Sequence, residues 1–249
     1  MLLKELRDYI ASLLQTEQFR DYCPNGLQVE GRANIRRIAT GVTASQRLLE
    51  AATEWGADAI LVHHGYFWRS EEAAITGIKK QRIAHLLKHD ISLLAYHLPL
   101  DAHAQLGNNT QLGQRLGFVE QGRFGEQDIA CLGELAQPQS LLNLTADIGR
   151  DLQRVPQVIC REESKIIRRI AWCTGAAQSY FEAAVALGVD AFLTGEISEQ
   201  NVHVAHETGV AFIAAGHHAT ERYGVQALGQ HLAEHCGLEH RFFDMDNPV

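Results

Sequence analysis

The 249-residue sequence is short of several things, and each shortage excludes a class of protein. It has only 5 prolines and no low-complexity tract, so neither a disordered nor a fibrous chain is indicated. Five cysteines, Cys23, Cys131, Cys160, Cys173 and Cys236, are scattered and never spaced C-x-x-C, which fits a reducing compartment. Basic clusters stop at Lys79-Lys80 and Arg36-Arg37 in a chain of net charge -8, so no sequence-independent grip on nucleic acid is expected. No stretch approaches the about 18 apolar residues that a spanning helix needs. The opening MLLKELRDYIASLLQ mixes charged and apolar residues at helical spacing, unlike the apolar core of a signal peptide, and a cytoplasmic protein is expected. The phosphate loop G-x-x-x-x-G-K-[ST], the dinucleotide fingerprint G-x-G-x-x-G after the first strand and the nucleophile elbow G-x-S-x-G are all missing. Kinase, dehydrogenase and serine-hydrolase chemistry therefore lack their parts.

What the chain does contain is a repeat. Residues 42–62, VTASQRLLEAATEWGADAILV, align without gaps on residues 174–194, TGAAQSYFEAAVALGVDAFLT. Gln46 matches Gln178, Glu50-Ala51-Ala52 matches Glu182-Ala183-Ala184, Gly56 matches Gly188, Asp58-Ala59 matches Asp190-Ala191, and Leu61 matches Leu193. Each copy reads as strand, helix, strand, with Gly56 or Gly188 closing the helix. Continuous apolar runs such as AILV fit strands covered on both faces, as in largely parallel sheets. Downstream, IKKQRIAHLLKHD and EQNVHVAHETG read as helices leading into the strands ISLLAY and VAFIAA. The expected fold class is α/β: two duplicated, pseudo-symmetric α/β lobes with a metal site between them and a small inserted segment. The expected division is a first lobe over 1–118, an inserted or linking segment over 119–165, and a second lobe over 166–249. Within 119–165, LLNLTADIGRDLQ looks like a helix and GELAQP and QVICRE like short strands.

In open α/β sheets, ligands bind beyond the carboxyl ends of the strands, and the unusual polar residues fall there. The first lobe offers His63, His64, His97, Asp101 and His103; the second offers Glu196, His217, His218 and Glu221. Histidine with carboxylate, without cysteine, is the ligand set of a catalytic zinc, iron or manganese site. Successive side chains of a strand point to opposite sides, so adjacent His63 and His64 are better explained by two ions than by one. His217 and Glu221, spaced i, i+4, share a face if a helix begins there, whereas Pro99 makes the segment from His97 to Asp101 read as loop. His97, His103, His218 and Glu196 are read either as ligands or as groups that orient ligands. The trio Tyr66-Phe67-Trp68 either stacks on a base or packs in a core. Residues 21–31, DYCPNGLQVEG, read as an ordinary turn-containing connection, and His85, His89, His203, His206, His231, His235 and His240 as solvated.

The combination NGLQVEG, GVTAS, GADAILVHHGYFW, HLPLDAHAQLGNN, AWCTG, DAFLTGE and AAGHHATER closely resembles the GTP cyclohydrolase 1 type 2 homologues, the NGG-interacting-factor-three-like family, from about residue 20 onward. The resemblance implies a dinuclear centre of divalent ions, whether zinc, iron, manganese or nickel, held by His63, His64, Asp101, His217 and Glu221. It also implies a toroidal homohexamer built from dimers. The activity it implies is a metal-activated water attacking a nucleotide-like substrate, with GTP opened to formate and dihydroneopterin triphosphate. His97 and Glu196 are then the candidate proton-transfer groups, and Arg222, Arg69 and Lys79 or Lys80, the cationic groups nearest in sequence to these motifs, the candidates to meet phosphates. Two other readings compete: a two-metal phosphoesterase acting on nucleotides, and a metal-binding regulatory or assembly protein without turnover.

Overall fold

The structure, a computed structural model, describes residues 1–162 and 164–249. Along the chain come α1 (Leu3–Leu14), β1 (Gly26–Val29), β2 (Arg37–Thr43), α2 (Gln46–Trp55), β3 (Ala59–His64), α3 (Gly77–His89), β4 (Ser92–Ala95) and α4 (Leu98–Ala102). There follow α5 (Asn108–Arg115), β5 (Phe118–Phe124), β6 (Ala130–Ser140), α6 (Leu141–Leu152), β7 (Gln157–Ile159) and β8 (Ile166–Trp172). The last are α7 (Phe181–Ala186), β9 (Ala191–Thr194), α8 (Glu199–Thr208), β10 (Ala211–Ala214), α9 (His217–Cys236) and β11 (Glu239–Phe242).

The chain divides into two compact α/β units: 1–106 with 224–246, and 107–223 with 247–249. The first holds a five-stranded sheet in the order β1-β4-β3-β2-β11, whose inner strands are parallel while β1 runs antiparallel to β4. Its strands are apolar on both faces because both are covered. Ile38, Ala59, Leu61 and Leu94 join α1 and the later turns of α9 (Leu6, Ile10, Val225, Leu228, Leu232), and Ala39, Ile60, Val62 and Leu93 join α2 and α3 (Leu48, Leu49, Ile83, Leu86). Adjacent residues of AILV thus feed different cores, which is why the run is unbroken rather than alternating. The second unit holds a six-stranded sheet, β5-β6-β8-β9-β10-β7, with β8, β9 and β10 parallel. One of its cores gathers Ile148, Leu152, Trp172, Leu193 and Ile213, and Phe181, Phe192 and Phe212 form a second aromatic contact.

The repeat is visible in individual bonds. Asp58 accepts the backbone N–H groups of Arg36 and Arg37 at 2.8 and 2.9 Å, and Asp190 accepts those of Arg168 and Arg169 at 2.9 Å each. Gly56 and Gly188 both lie in the left-handed region, at φ +79° and +71°, where a side chain would be strained.

Three expectations need correction. The borders at 118 and 165 do not coincide with the units, because β5, β6 and β7 pair within the second sheet and β11 adds an edge strand to the first. The segment after His97 is a helix, not a loop: Pro99 sits in its first turn, where the missing N–H costs no intrahelical bond. His85 and His240 are not simply solvated, since they bond Thr53 and Thr40 at 2.9 and 2.8 Å.

Replacing Asp58 or Asp190 by alanine leaves two backbone donors without their carboxylate and is expected to cost about 1–3 kcal/mol in each unit. Urea unfolding of the two variants, against a wild-type control, checks both magnitudes and whether the repeated bond has repeated worth.

Candidate metal sites

In the first unit, strand β3 delivers His63 and His64 to its carboxyl end. His63 is fully buried, and its Nδ1 lies 2.9 Å from the carbonyl oxygen of Tyr96. A carbonyl can only accept, so that nitrogen carries the proton and the lone pair belongs to Nε2. His63 Nε2 faces Asp101 Oδ1 at 3.3 Å, and Asp101 is itself buried. Helix α4 makes this meeting possible: the His97 carbonyl accepts the N–H of Asp101 at 3.1 Å, which turns the carboxylate back toward β3. His64 Nδ1 is 3.3 Å from Thr43 Oγ1, on the neighbouring strand.

His63 and His64 do not diverge as strand alternation predicts. Their ring centroids are 4.6 Å apart, and one ring nitrogen from each of His63, His64 and His97 lies within 4.8 Å of the others, close enough to hold a metal ion. His64 is the last paired residue of β3, and Gly65 leads straight into a turn, so the pleat no longer fixes its direction. Gly65 is required there, because a Cβ would stand 2.2 Å from Gln28 Oε1, the atom that accepts the Tyr66 N–H at 2.7 Å.

His97 is held by a residue that the sequence left in an ordinary connection. Asp21 Oδ1 accepts from His97 Nδ1 at 2.7 Å, Asp21 Oδ2 accepts the Leu98 N–H at 2.9 Å, and Asn25 Oδ1 accepts the His97 N–H at 2.7 Å. Burial opposes the Asp21 charge, but the bonds from His97, Asn25 and the Tyr22 N–H outweigh it and hold the carboxyl down to about 2. The segment 21–31 is therefore a clamp on the site rather than a plain connection. Cys23 lies in the same neighbourhood, but burial first, then the charges of Asp21, Asp101 and Glu71, push its thiol up to about 12, so no thiolate joins the donors.

In the second unit, α9 starts after Gly216, and its first turn stacks His217 over Glu221. His217 Nδ1 bonds Glu196 Oε1 at 2.6 Å, and its Nε2 faces Glu221 Oε2 at 3.1 Å. Burial lowers the affinity of His217 for a proton, yet the carboxylates of Glu221 and Glu196 outweigh it and raise the pKa to about 9. Gly175, at φ +69°, backs this pair: a Cβ there would lie 2.1 Å from Glu221 Oε1. Gly175 is in turn pinned by Thr220, whose hydroxyl accepts its N–H at 3.0 Å.

These residues fit divalent cations on their own chemistry. Imidazole nitrogens and carboxylate oxygens face one another at hydrogen-bond distance, and three of the four histidines direct the proton of Nδ1 into a carbonyl or carboxylate, the arrangement that orients metal-bound imidazole. Glu196 is accordingly bonded to His217 and not held apart for a proton, because the strand end of the second copy points at the start of α9. His103 is brought to neither cluster by its Nδ1, which accepts the N–H groups of Gln105 and Leu106 at 3.2 and 3.0 Å. His218 is buried, and its N–H donates to the Val249 oxygen. Three of the four expected phosphate cations have protein partners: Arg222 donates to the Leu152 carbonyl, Arg69 to the Asp21 carbonyl, and Lys79 to the Glu72 carbonyl. Lys80 lies on α3. Sequence reasoning missed Asp21, Asn25, Gln28, Thr43 and Gly175. Asn25, Gln28, Thr43 and Gly175 had one signal, their place in the motifs NGLQVEG, GVTAS and AWCTG; Asp21 lies four residues before the first of these.

The family profile described as Duf34/NIF3 (NGG1p interacting factor 3) matches residues 1–248. A Pseudomonas aeruginosa relative named GTP cyclohydrolase 1 type 2 homolog is 54% identical over 95% of this chain and 94% of its own. One of the same name from Neisseria meningitidis serogroup A is 54% identical over 100% of both chains. Among solved structures, protein ybgI, of unknown function, superposes with a TM-score of 0.97 at 47% identity, covering 100% of both chains.

Two outcomes follow from this geometry. Because the proton on His217 occupies the place of a cation, metal uptake near pH 7.5 is expected to release it, and apparent affinity to rise with pH until about 9; titration calorimetry in buffers of different ionisation enthalpy counts the protons. A flat affinity between pH 6.5 and 9 contradicts this. Gly175→Ala is expected to push the Glu221 carboxylate aside and reduce metal content tenfold or more, by about the loss seen when supporting groups of metal ligands are removed, as read by elemental analysis.

Proposed function

This chain belongs to the Duf34/NIF3 family, and from that premise we propose that it is a dinuclear-metal-dependent hydrolase of a nucleotide-like substrate. In this reading His63, His64, Asp101, His217 and Glu221 are the ligands of two divalent cations, and the chain works in the cytoplasm as a homo-oligomer, the toroidal hexamer that its resemblance implies. The observation that carries it is the shared wiring of the histidines. His63 and His217 each give Nδ1 to a protein acceptor and meet a carboxylate oxygen with Nε2. Such paired donors are stabilised by a cation and are uncomfortable without one.

Divalent ions held by these ligands supply Lewis acidity, which acidifies water and polarises an electrophilic carbon or phosphorus. The chain's own residues supply orientation and proton handling. Glu196 orients His217 and balances its charge; Asp21 does the same for His97. With its Nδ1 proton fixed on Asp21, His97 presents Nε2 as the base that takes a proton beside His63 and His64, and the Asp21 carboxylate steadies the imidazolium that results. Ring opening of GTP at C8 of the guanine, giving formate, is the reaction favoured by the names of the relatives. Phosphoester cleavage is less favoured by the site, since Arg222, Arg69 and Lys79 are all engaged by the protein.

Metal-replete protein is expected to release formate from GTP, with His63→Ala losing metal and formate together. His97→Ala is expected to keep its metal and lose about 10²- to 10⁴-fold in rate, the worth of a general base. Formate, inorganic phosphate and metal content measured on the same samples separate the readings. Phosphate without formate favours the phosphoesterase, and neither product from a nucleotide panel leaves a metal-binding protein without turnover. Formate release by metal-stripped protein contradicts the metal-dependent chemistry.

A further inference from the structure

The trio after the histidines does not act as one block. Tyr66 is buried and donates its hydroxyl to the Ala44 carbonyl at 2.9 Å, and Phe67 lies under the Lys79 ammonium at 4.9 Å. Trp68 differs. Its Nε1 donates to the Gly65 carbonyl at 3.2 Å, which fixes the indole, and it stands edge-on to His97 at 4.9 Å between ring centroids and 5.9 Å from His64. It lines a hollow of about 590 Å³ with Tyr22, Arg69 and Ser70, a volume that small ligands commonly occupy.

The walls of this hollow are prearranged. Tyr22 is 50% exposed, and the Arg69 guanidinium lies over its ring at 5.9 Å. The Arg69 N–H donates to the Tyr22 carbonyl at 2.7 Å, and Arg69 Nη2 donates to the Asp21 carbonyl at 2.8 Å. Asp21 thus ties two things together: its carboxylate positions His97, and its backbone positions the arginine of the hollow. A rigid indole, a half-exposed phenol and a planar cation, mostly apolar between them, form a surface for a flat ring and a poor one for a bare phosphate.

We propose that Trp68, Tyr22 and Arg69 form the subsite that stacks the purine-type base of the substrate, delivering its ring to the edge of the His63, His64 and His97 cluster. This rests on the hydrolase reading for the choice of a nucleotide, but it assigns binding to the base rather than to the phosphates. Trp68 and Tyr22 are positioning residues, and their effect falls on binding.

The test uses guanosine, which carries the base without phosphate, and ribose 5-phosphate, which carries phosphate without the base. Each is titrated by calorimetry into metal-replete full-length protein and into Trp68→Ala, Trp68→Phe and Tyr22→Ala, with metal content measured on every sample. Guanosine is expected to bind the wild type, to bind Trp68→Ala about tenfold or more weakly, the loss typical of one base–aromatic stack, and to bind Trp68→Phe nearly as well as wild type. Ribose 5-phosphate is expected to be indifferent to all three changes. Where Trp68→Ala loses metal, Trp68→Phe and Tyr22→Ala decide. Guanosine that does not bind, or that binds equally with and without Trp68, overturns the subsite. Trp68-dependent guanosine binding with neither formate nor phosphate released from GTP removes the hydrolase reading and keeps the subsite; formate release with Trp68-independent binding does the reverse.

Discussion

At the start of α9 an imidazole nitrogen and a carboxylate oxygen face each other 3.1 Å apart, while the other nitrogen of the same ring is bound to a second carboxylate at 2.6 Å. Two acceptors at that separation repel unless something positive lies between them. A proton on the ring meets that need, and the carboxylates of Glu221 and Glu196 raise the His217 pKa to about 9 against the effect of burial. The surrounding chain serves this constraint. Gly175 has no side chain because the Glu221 carboxylate needs the room, Thr220 and Thr194 hold Gly175 by its N–H and its carbonyl, and the end of β9 supplies Glu196. The first unit solves the same problem with other residues: a backbone carbonyl behind His63, Asp21 behind His97, and a one-turn helix to return Asp101.

The duplicated units share a frame and differ in what they mount on it. Asp58 and Asp190 do the same job at the bottom of equivalent strands, and Gly56 and Gly188 end equivalent helices. At the tops the copies part: the position of His64 in one is that of Glu196 in the other. A ring that carries its own lone pair stands where the second copy places the carboxylate that steadies a ring. Divergence is confined to strand ends, where a changed side chain leaves the sheet cores undisturbed.

Much of this was legible in the sequence. The gapless repeat, the unbroken apolar runs, the helix-closing glycines and the His217–Glu221 spacing all depend on neighbours in the chain, and each appears as expected. What escaped depends on distance. Asp21 meets His97 across 76 positions, and Gln28 meets Tyr66 across 38, so a Pro-Asn-Gly segment looked like nothing more than a turn. The divergence expected of His63 and His64 failed because alternation is a property of paired strand, and pairing stops at His64. The unit borders escaped because β11 pairs with β2, some two hundred residues earlier, and an edge strand carries no mark of its partner.

That last pairing has a consequence for synthesis. The second unit draws almost all of its contacts from one continuous stretch, 107–223, whereas the first needs Val225, Leu228 and Leu232 for one face of its sheet and Glu239–Phe242 for its edge. As the chain leaves the ribosome, the unit that begins first is therefore completed last. Until then it carries an open strand edge at β2 and an apolar face covered by α1 without α9, while the unit that follows has every strand of its sheet. His63, at the end of β3, thus waits on residues made long after it for the sheet that carries it to be whole.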